Sequence, residues 1–336
     1  MMRLAMMLPP VPDRRWVLAR QMGVTNAIAK LAPELTGRLP PWDLDALIAA
    51  VEAYREGSFD IVGLEGDQFD MSRIKLGLEG RDDDIERYCD MLRNMGKLGI
   101  RLICFNFMVG IGWYRTQTTV PTRGGALVTG FSRKHADAAG PTPLGEVSEQ
   151  AVWDAYTYFI QKVAPVAEAA GVRMGLHPDD PPVSPLRGIG RVLTSVDAWE
   201  KAVEIAGSPA VGVTFCQGTI ATMGDDPAAA LARFGRERIA FVHVRDVSGT
   251  RDDFIETFPD AGQTDMPALF RAYADLGLDC YVRPDHAPAM DGDRSHNGNV
   301  DGINVGYEAN GMIYSLAYLR GLLDASLDAV ASQSSR

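Results

Sequence analysis

The chain has 336 residues, 46% of them hydrophobic and 23% charged, a globular composition that excludes wholesale disorder and a fibrous repeat. Thirty-three Lys+Arg against 44 Asp+Glu leave a formal net charge of −11; a surface of that sign repels phosphate backbones and no basic patch offsets it, which excludes nucleic acid as a partner. Apolar stretches are short and broken by charge, so none spans a bilayer, and the opening MMRLAMMLPPVPDRRW meets proline too soon for a secretory leader. Four cysteines, Cys89, Cys104, Cys216 and Cys280, have no close pairing and do not make a disulfide framework. The expectation is a cytoplasmic enzyme acting on a small molecule, with a homo-oligomer left open.

In chain order, strand-length apolar runs fall at 3–8 (RLAMML), 24–29 (VTNAIA), 60–65 (DIVGLE) and 101–107 (RLICFNF). Four more fall at 172–177 (VRMGLH), 210–216 (AVGVTFC), 239–244 (IAFVHV) and 279–283 (DCYVR), with 24–29 the weakest of the eight. Helical periodicity fills the intervals. Ile85, Tyr88, Cys89, Leu92 and Met95 share one face of 82–98, and Val152, Ala155, Tyr156, Phe159, Val163, Val166 and Ala167 share one face of 149–170. Ser195 caps a helix over 196–206, and Asp226 caps another whose first turn holds Pro227, where a missing N–H costs nothing.

Eight strands alternating with helices predict an α/β fold, a single (β/α)8 TIM barrel over 1–325 with a frayed, disordered tail at 326–336. An open doubly wound sheet would bring a G-x-G-x-x-G turn after a strand, and none is present. Two long inserts, 107–147 without clear periodicity and 287–306 (APAMDGDRSHNGNVDGINVG), follow strands and so belong at the C-terminal mouth of such a barrel.

Strand ends gather polar groups at that mouth: Glu65, Asn106, His177 in HPDDPP, Cys216 in GVTFCQGT, His243 in FVHVRD, and Asp285 with His286 in RPDHAP. Three of the five histidines lie there. A lone strand-end His is more often structural, and a lone Cys in GVTFC is usually a small buried hydrophobe. Four metal-capable side chains on four successive strands, His177, Cys216, His243 and Asp285, point instead to a divalent ion. Two imidazoles, a thiolate and a carboxylate neutralise it and leave two positions free on a six-coordinate Mn2+, Fe2+ or Co2+; a closed tetrahedral Zn2+ is the structural alternative. Arg245 and Arg283 flank these positions, to neutralise an acid substrate or to pair with Asp179, Asp180 or Asp246. Trp113, Tyr114 and Arg115 sit on the long loop where they could close over a polar ligand, and Asn106 faces the same mouth. His135 and His296 read as solvated, and Cys89, Cys104 and Cys280 as core.

The segments FNFM and GWYRT, HPDDPP, GVTFCQGT, HVRDV, F-x-E-x-F-x-D-x-GQ-x-DM (Phe254 to Met266), RPDHAP, and GY with AYLRGL, in that order, resemble the mannonate dehydratase family over nearly the whole chain. The resemblance implies a metal-dependent, xylose isomerase-like TIM barrel that converts D-mannonate to 2-keto-3-deoxy-D-gluconate in hexuronate catabolism. It implies the metal set His177, Cys216, His243 and Asp285, with Mn2+ or Fe2+ as the leading ions, and catalytic roles for His286 and Tyr307. The two would divide the work of base and acid, in an order the sequence leaves open. Substrate contacts fall to Asn106, Arg115, Arg245 and Arg283. Two departures stand out: the insert puts twenty residues between His286 and Tyr307, and no Arg follows Tyr307 before Arg320, which leaves Arg294 of the insert as the substitute. Another sugar acid, or a sugar isomerase or epimerase reaction, therefore stays open beside D-mannonate. A silent sugar-acid binder and a phosphodiester-cleaving barrel are less consistent with the complete ligand set and the acidic charge.

Overall fold

The computed structural model describes residues 1–294 and 306–334, with side chains described to residue 326. Val-, Ile- and Phe-rich runs such as VGVTFC and IAFVHV are buried on both faces, as strands of a covered parallel sheet must be. The sheet order runs from Arg3–Leu4 through Tyr281–Pro284, Ile239–Val244, Val211–Cys216, Arg173–Leu176, Leu102–Phe105, Asp60–Glu65 and Asn26–Ala29 to Met6–Met7. The first and last members are two halves of one strand. Its first half pairs with Tyr281–Pro284 and its second with Asn26–Ala29, which closes the ring. All eight expected strands are present, including the one at 24–29, and the fold is a (β/α)8 barrel.

Each barrel strand is followed by an outer helix, the long ones being Glu149–Ala170 and Ala309–Ser334. Ser195 and Asp226 accept from the backbone amides of Ala198 and Ala228, so both expected caps form. The last helix extends into the 326–336 stretch that reads as a frayed end. The main core lies between sheet and helices; Trp199 is fully buried there, and its indole N–H donates to the carbonyl of Leu176, tying its helix to the fifth barrel strand. A smaller apolar plug of Ala5, Ile28, Leu102, Cys104 and Phe241 fills the barrel interior, a floor on which the polar mouth rests.

The insert at 107–147 is not a plain loop. Gln117–Pro121 and Leu127–Ser132 form an antiparallel pair, and Leu127–Ser132 pairs in turn with Asp253–Thr257 from the hairpin Asp246–Thr250/Asp253–Thr257 that follows the seventh barrel strand. The result is a four-stranded outer sheet over one side of the mouth. Its strands are five or six residues long, and the pairing that joins its two hairpins links residues more than a hundred positions apart, which local periodicity does not reveal.

Candidate active site and metal centre

Register sets the stage. His243 is level with Cys216 on one neighbouring strand and with Arg283 on the other. Side chains two apart along a strand share a face, so Asp285, just past the eighth strand, follows Arg283 toward the axis. Ligand atoms of His177, Cys216 and Asp285 lie within 4.8 Å of one another. Cys216 Sγ is 3.9 Å from Asp285 Oδ2, and His243 Nδ1 is 3.8 Å from Asp285 Oδ1. The fourth residue of the expected set thus stands beside the other three. On its far side His243 Nε2 faces Glu65 at 3.4 Å, in an adjoining group with Cys104. Cys104, expected in the core, lines the mouth cavity and accepts a hydrogen bond from Thr214.

The donor chemistry fits a cation. His243 is buried, yet neither ring nitrogen makes a hydrogen bond, a costly condition for a polar group unless something else engages it. Burial and the neighbouring Arg283 push its pKa down to about 4, which keeps the imidazole neutral. The His177 ring has Nδ1 2.7 Å from the Pro178 carbonyl, an orienting contact that leaves Nε2 for the centre. Burial opposes ionisation of the Cys216 thiol, but Arg245 and the hydrogen bond from His177 outweigh it and hold the thiol below its ordinary value. Burial likewise opposes the charged form of His177, while Cys216 and Asp285 raise it to about 9. Asp285 stays well below the usual carboxylate range despite burial, because His286, Arg283, His243 and Arg245 surround it.

A cavity opens above this group, lined by Glu65, Asn106, Trp113, His177, Asp180, His243, Asp285, His286 and Tyr307, among others. Both expected catalytic residues are there. Tyr307 Oη donates to Asp285 Oδ1 at 3.1 Å, and its ring meets the edge of His286 at 5.3 Å between centroids. Trp113 packs on the other side of His286 at 4.8 Å. Asn106 lines the wall with Oδ1 already accepting from Lys75 Nζ and the Met108 amide.

The three arginines expected to touch substrate do not line the cavity. Arg115 binds Asp180 through two nitrogens and Glu256 at 2.6 Å; Arg245 binds Asp180, Glu256 and Thr219; Arg283 binds Glu65 and Asp285. Each is buried and spent on carboxylates that would otherwise lie uncompensated in the interior. Gly218 allows this closeness: a Cβ there would come within 2.8 Å of the Arg245 side chain. Arg294 is exposed, 3.7 Å from Glu308, and away from the cavity wall. His135 is exposed as expected, and His296 lies outside the described residues.

Three participants were not anticipated as such. Lys75, on the short helix Ser72–Lys75, is 5% exposed and pairs with Asp67 behind Asn106. Glu65, flagged only as a strand end, is held by Arg283. Glu256, from the outer sheet, reaches His286; its only sequence signal was its place in F-x-E-x-F. Burial opposes the ionisation of Glu65 and Glu256, yet Arg283 for the first, and His286 with Arg115 for the second, bring both from 4.5 down to about 2. A carboxylate whose native pKa is depressed contributes stability above its unfolded value and loses it as pH falls toward the native one. The urea midpoint of metal-free protein is therefore expected to drop most steeply from pH 4.5 to pH 2; a flat profile across that window would contradict these ion pairs.

The family model for D-mannonate dehydratase matches residues 16–146 and 142–334. The chain belongs to the D-mannonate dehydratase family. Members of this family are hydro-lyases, and the chain is 30% identical to the mannonate dehydratase of Shouchella clausii, over 79% of this chain and 82% of that one. It is 29% identical to mannonate dehydratase 1 of Halalkalibacterium halodurans, over 81% and 86%. The crystal structure of mannonate dehydratase from Streptococcus suis superposes with a TM-score of 0.86 at 28% identity, covering 98% of this chain and 95% of that one. L-ribulose 3-epimerase shares the barrel alone, at a TM-score of 0.59 and 14% identity.

Proposed function

We propose that this chain removes water from D-mannonate to give 2-keto-3-deoxy-D-gluconate, with a divalent ion held by His177, Cys216, His243 and Asp285. The observation that carries the reading is the convergence of His177, Cys216 and Asp285, with a buried His243 whose ring nitrogens make no hydrogen bond beside them, at the cavity that His286 and Tyr307 also line. When bound, the ion, Mn2+ or Fe2+ by this donor set with Co2+ and Zn2+ as alternatives, supplies the positive charge that an acid substrate and its deprotonated form require.

The chain's own groups handle the protons. Loss of water breaks the carbon-2 C–H and carbon-3 C–O bonds: one group takes the proton, another protonates the departing hydroxyl, and the enol product becomes the 2-keto acid. His286 and Tyr307 are the two groups in the cavity suited to these steps. Burial and the adjacent Asp285 raise the Tyr307 pKa well above 10, so the phenol keeps its proton until it is given up to a strong acceptor. Arg115, Arg245 and Arg283 act behind the wall, fixing Asp180, Glu256, Glu65 and Asp285 in place.

The test is an anaerobic assay of Mn2+-reconstituted protein with D-mannonate, following the 2-keto acid as its semicarbazone, with an EDTA-treated control. Metal-dependent product is expected, and His286→Ala and Tyr307→Phe should each lower kcat by roughly a hundredfold or more with metal content unchanged. A second reading, dehydration of another sugar acid, is favoured by one observation: twenty residues separate His286 from Tyr307 in the sequence. Metal-loaded protein inert toward D-mannonate but active on another aldonic acid would establish it, whereas a product of unchanged mass would mean isomerisation.

A further inference from the structure

Glu256 lies outside the barrel's strand ends, yet its carboxylate reaches the middle of the site. It rides on Asp253–Thr257 of the outer sheet, is 4% exposed, and makes four polar contacts. Oε1 accepts from Arg115 Nη2 at 2.6 Å, lies 2.6 Å from His286 Nδ1 and 3.3 Å from Arg245 Nη1; Oε2 accepts from Thr129 Oγ1 at 2.9 Å. We propose that Glu256 is the positioning residue of His286: it holds the ring with its proton on Nδ1 and so presents Nε2 to the cavity as a proton acceptor.

Geometry supports this. Arg115 and Arg245 both bind Asp180 and Glu256, so the carboxylate that meets His286 is held in place from two sides. An ionised carboxylate can only accept, so the hydrogen in the Glu256–His286 contact sits on Nδ1. The other nitrogen, Nε2, lies 3.8 Å from Asp285 Oδ1, the oxygen that also receives the Tyr307 hydroxyl. Donor and acceptor therefore stand on either side of one carboxylate oxygen. A carboxylate that fixes the tautomer of a proton-transferring histidine is a device whose loss elsewhere is felt in kcat rather than in fold. Here the orienting group arrives from the outer sheet, which makes that sheet part of the catalytic apparatus.

The role of His286 rests on the dehydratase reading; the tautomer does not, and the two can be separated. The measurement is 15N NMR of histidine-labelled, metal-free or Zn2+-loaded protein without substrate, with His286→Ala identifying the signal among the five histidines. Wild type is expected to show the Nδ1–H form. Glu256→Gln, whose amide can donate to Nδ1, is expected to shift the ring to the Nε2–H form or a mixture, with kcat down by about a hundredfold, KM within about threefold and metal content unchanged. In a His286→Ala background, Glu256→Gln should cost less than about twofold more. If Glu256→Gln fails to fold, Glu256→Asp keeps the charge for both arginines but draws it back from the ring, and the same tautomer change and kcat loss are expected. An unchanged tautomer with near-native kcat in these variants would overturn the proposal, as would a full multiplicative loss in the double variant. A tautomer that shifts as expected in a protein inert toward every sugar acid would sustain the positioning role and defeat the proposed function instead.

Discussion

Cys216→Ala is expected to lower divalent-ion affinity by at least about a hundredfold and to bring turnover to background in a protein that still folds. The thiol is fully buried at the end of the sixth barrel strand, level with His243, and accepts a hydrogen bond from Thr219 Oγ1 at 3.2 Å, which in turn accepts from Arg245. That chain of donors, with His177, favours the thiolate, the form a metal binds. Alanine removes a donor atom and a negative charge but little volume, so the barrel should lose less than about 2 kcal/mol. Metal content after dialysis, alongside thermal unfolding, is the check. A Cys216→Ala protein that retains metal as tightly as wild type would remove the thiol from the centre.

Arg283→Ala should act in the opposite manner, on stability first. Arg283 is fully buried; Nε donates to Glu65 Oε2 at 2.9 Å, Nη2 to Glu65 Oε1 and to Asp285 Oδ1, and Nη1 to the Pro284 carbonyl. Its removal leaves Glu65 without its main counter-charge and Asp285 without one of its partners, and breaking a buried pair in this way costs about 3–5 kcal/mol. The deficit should shrink as pH falls, because carboxylates freed from the guanidinium take up protons more readily. Urea unfolding of metal-free protein at pH 7 and at pH 5 reads both effects. A loss below about 1 kcal/mol, joined to a large rise in KM, would return Arg283 to the substrate-binding role that its position in RPDHAP suggests.

The barrel was readable because its strands are buried on both faces and its helices on one, so each announces itself within a short window. The closeness of the four candidate side chains was readable for a related reason: in a parallel barrel the strand ends share one rim, so His177, Cys216 and Asp285 come together with His243 alongside Asp285 wherever the strands are correctly placed. The arginines show where such reading stops. Arg115, Arg245 and Arg283 stand next to the right motifs, but whether a guanidinium meets a substrate or a buried carboxylate depends on Glu65, Asp180 and Glu256, whose positions are tertiary. Cys104 is core as its alternation suggests, and the level of the interior plug also brings it to the cavity wall.

The outer sheet has a consequence for how this barrel changes. Leu127–Ser132 is joined to Asp253–Thr257 along one edge, and Leu127 also exchanges main-chain hydrogen bonds with Ala289, so the loops after the fourth, seventh and eighth barrel strands are laced together. A graft that replaced one of them would strand the others with open edges and part Thr129 from Glu256. In a barrel whose loops are independent, a new substrate range can come one loop at a time. Here the unit of inheritance is the sheet, and recombination or design has to carry 117–132, 246–257 and 287–289 as a single cassette.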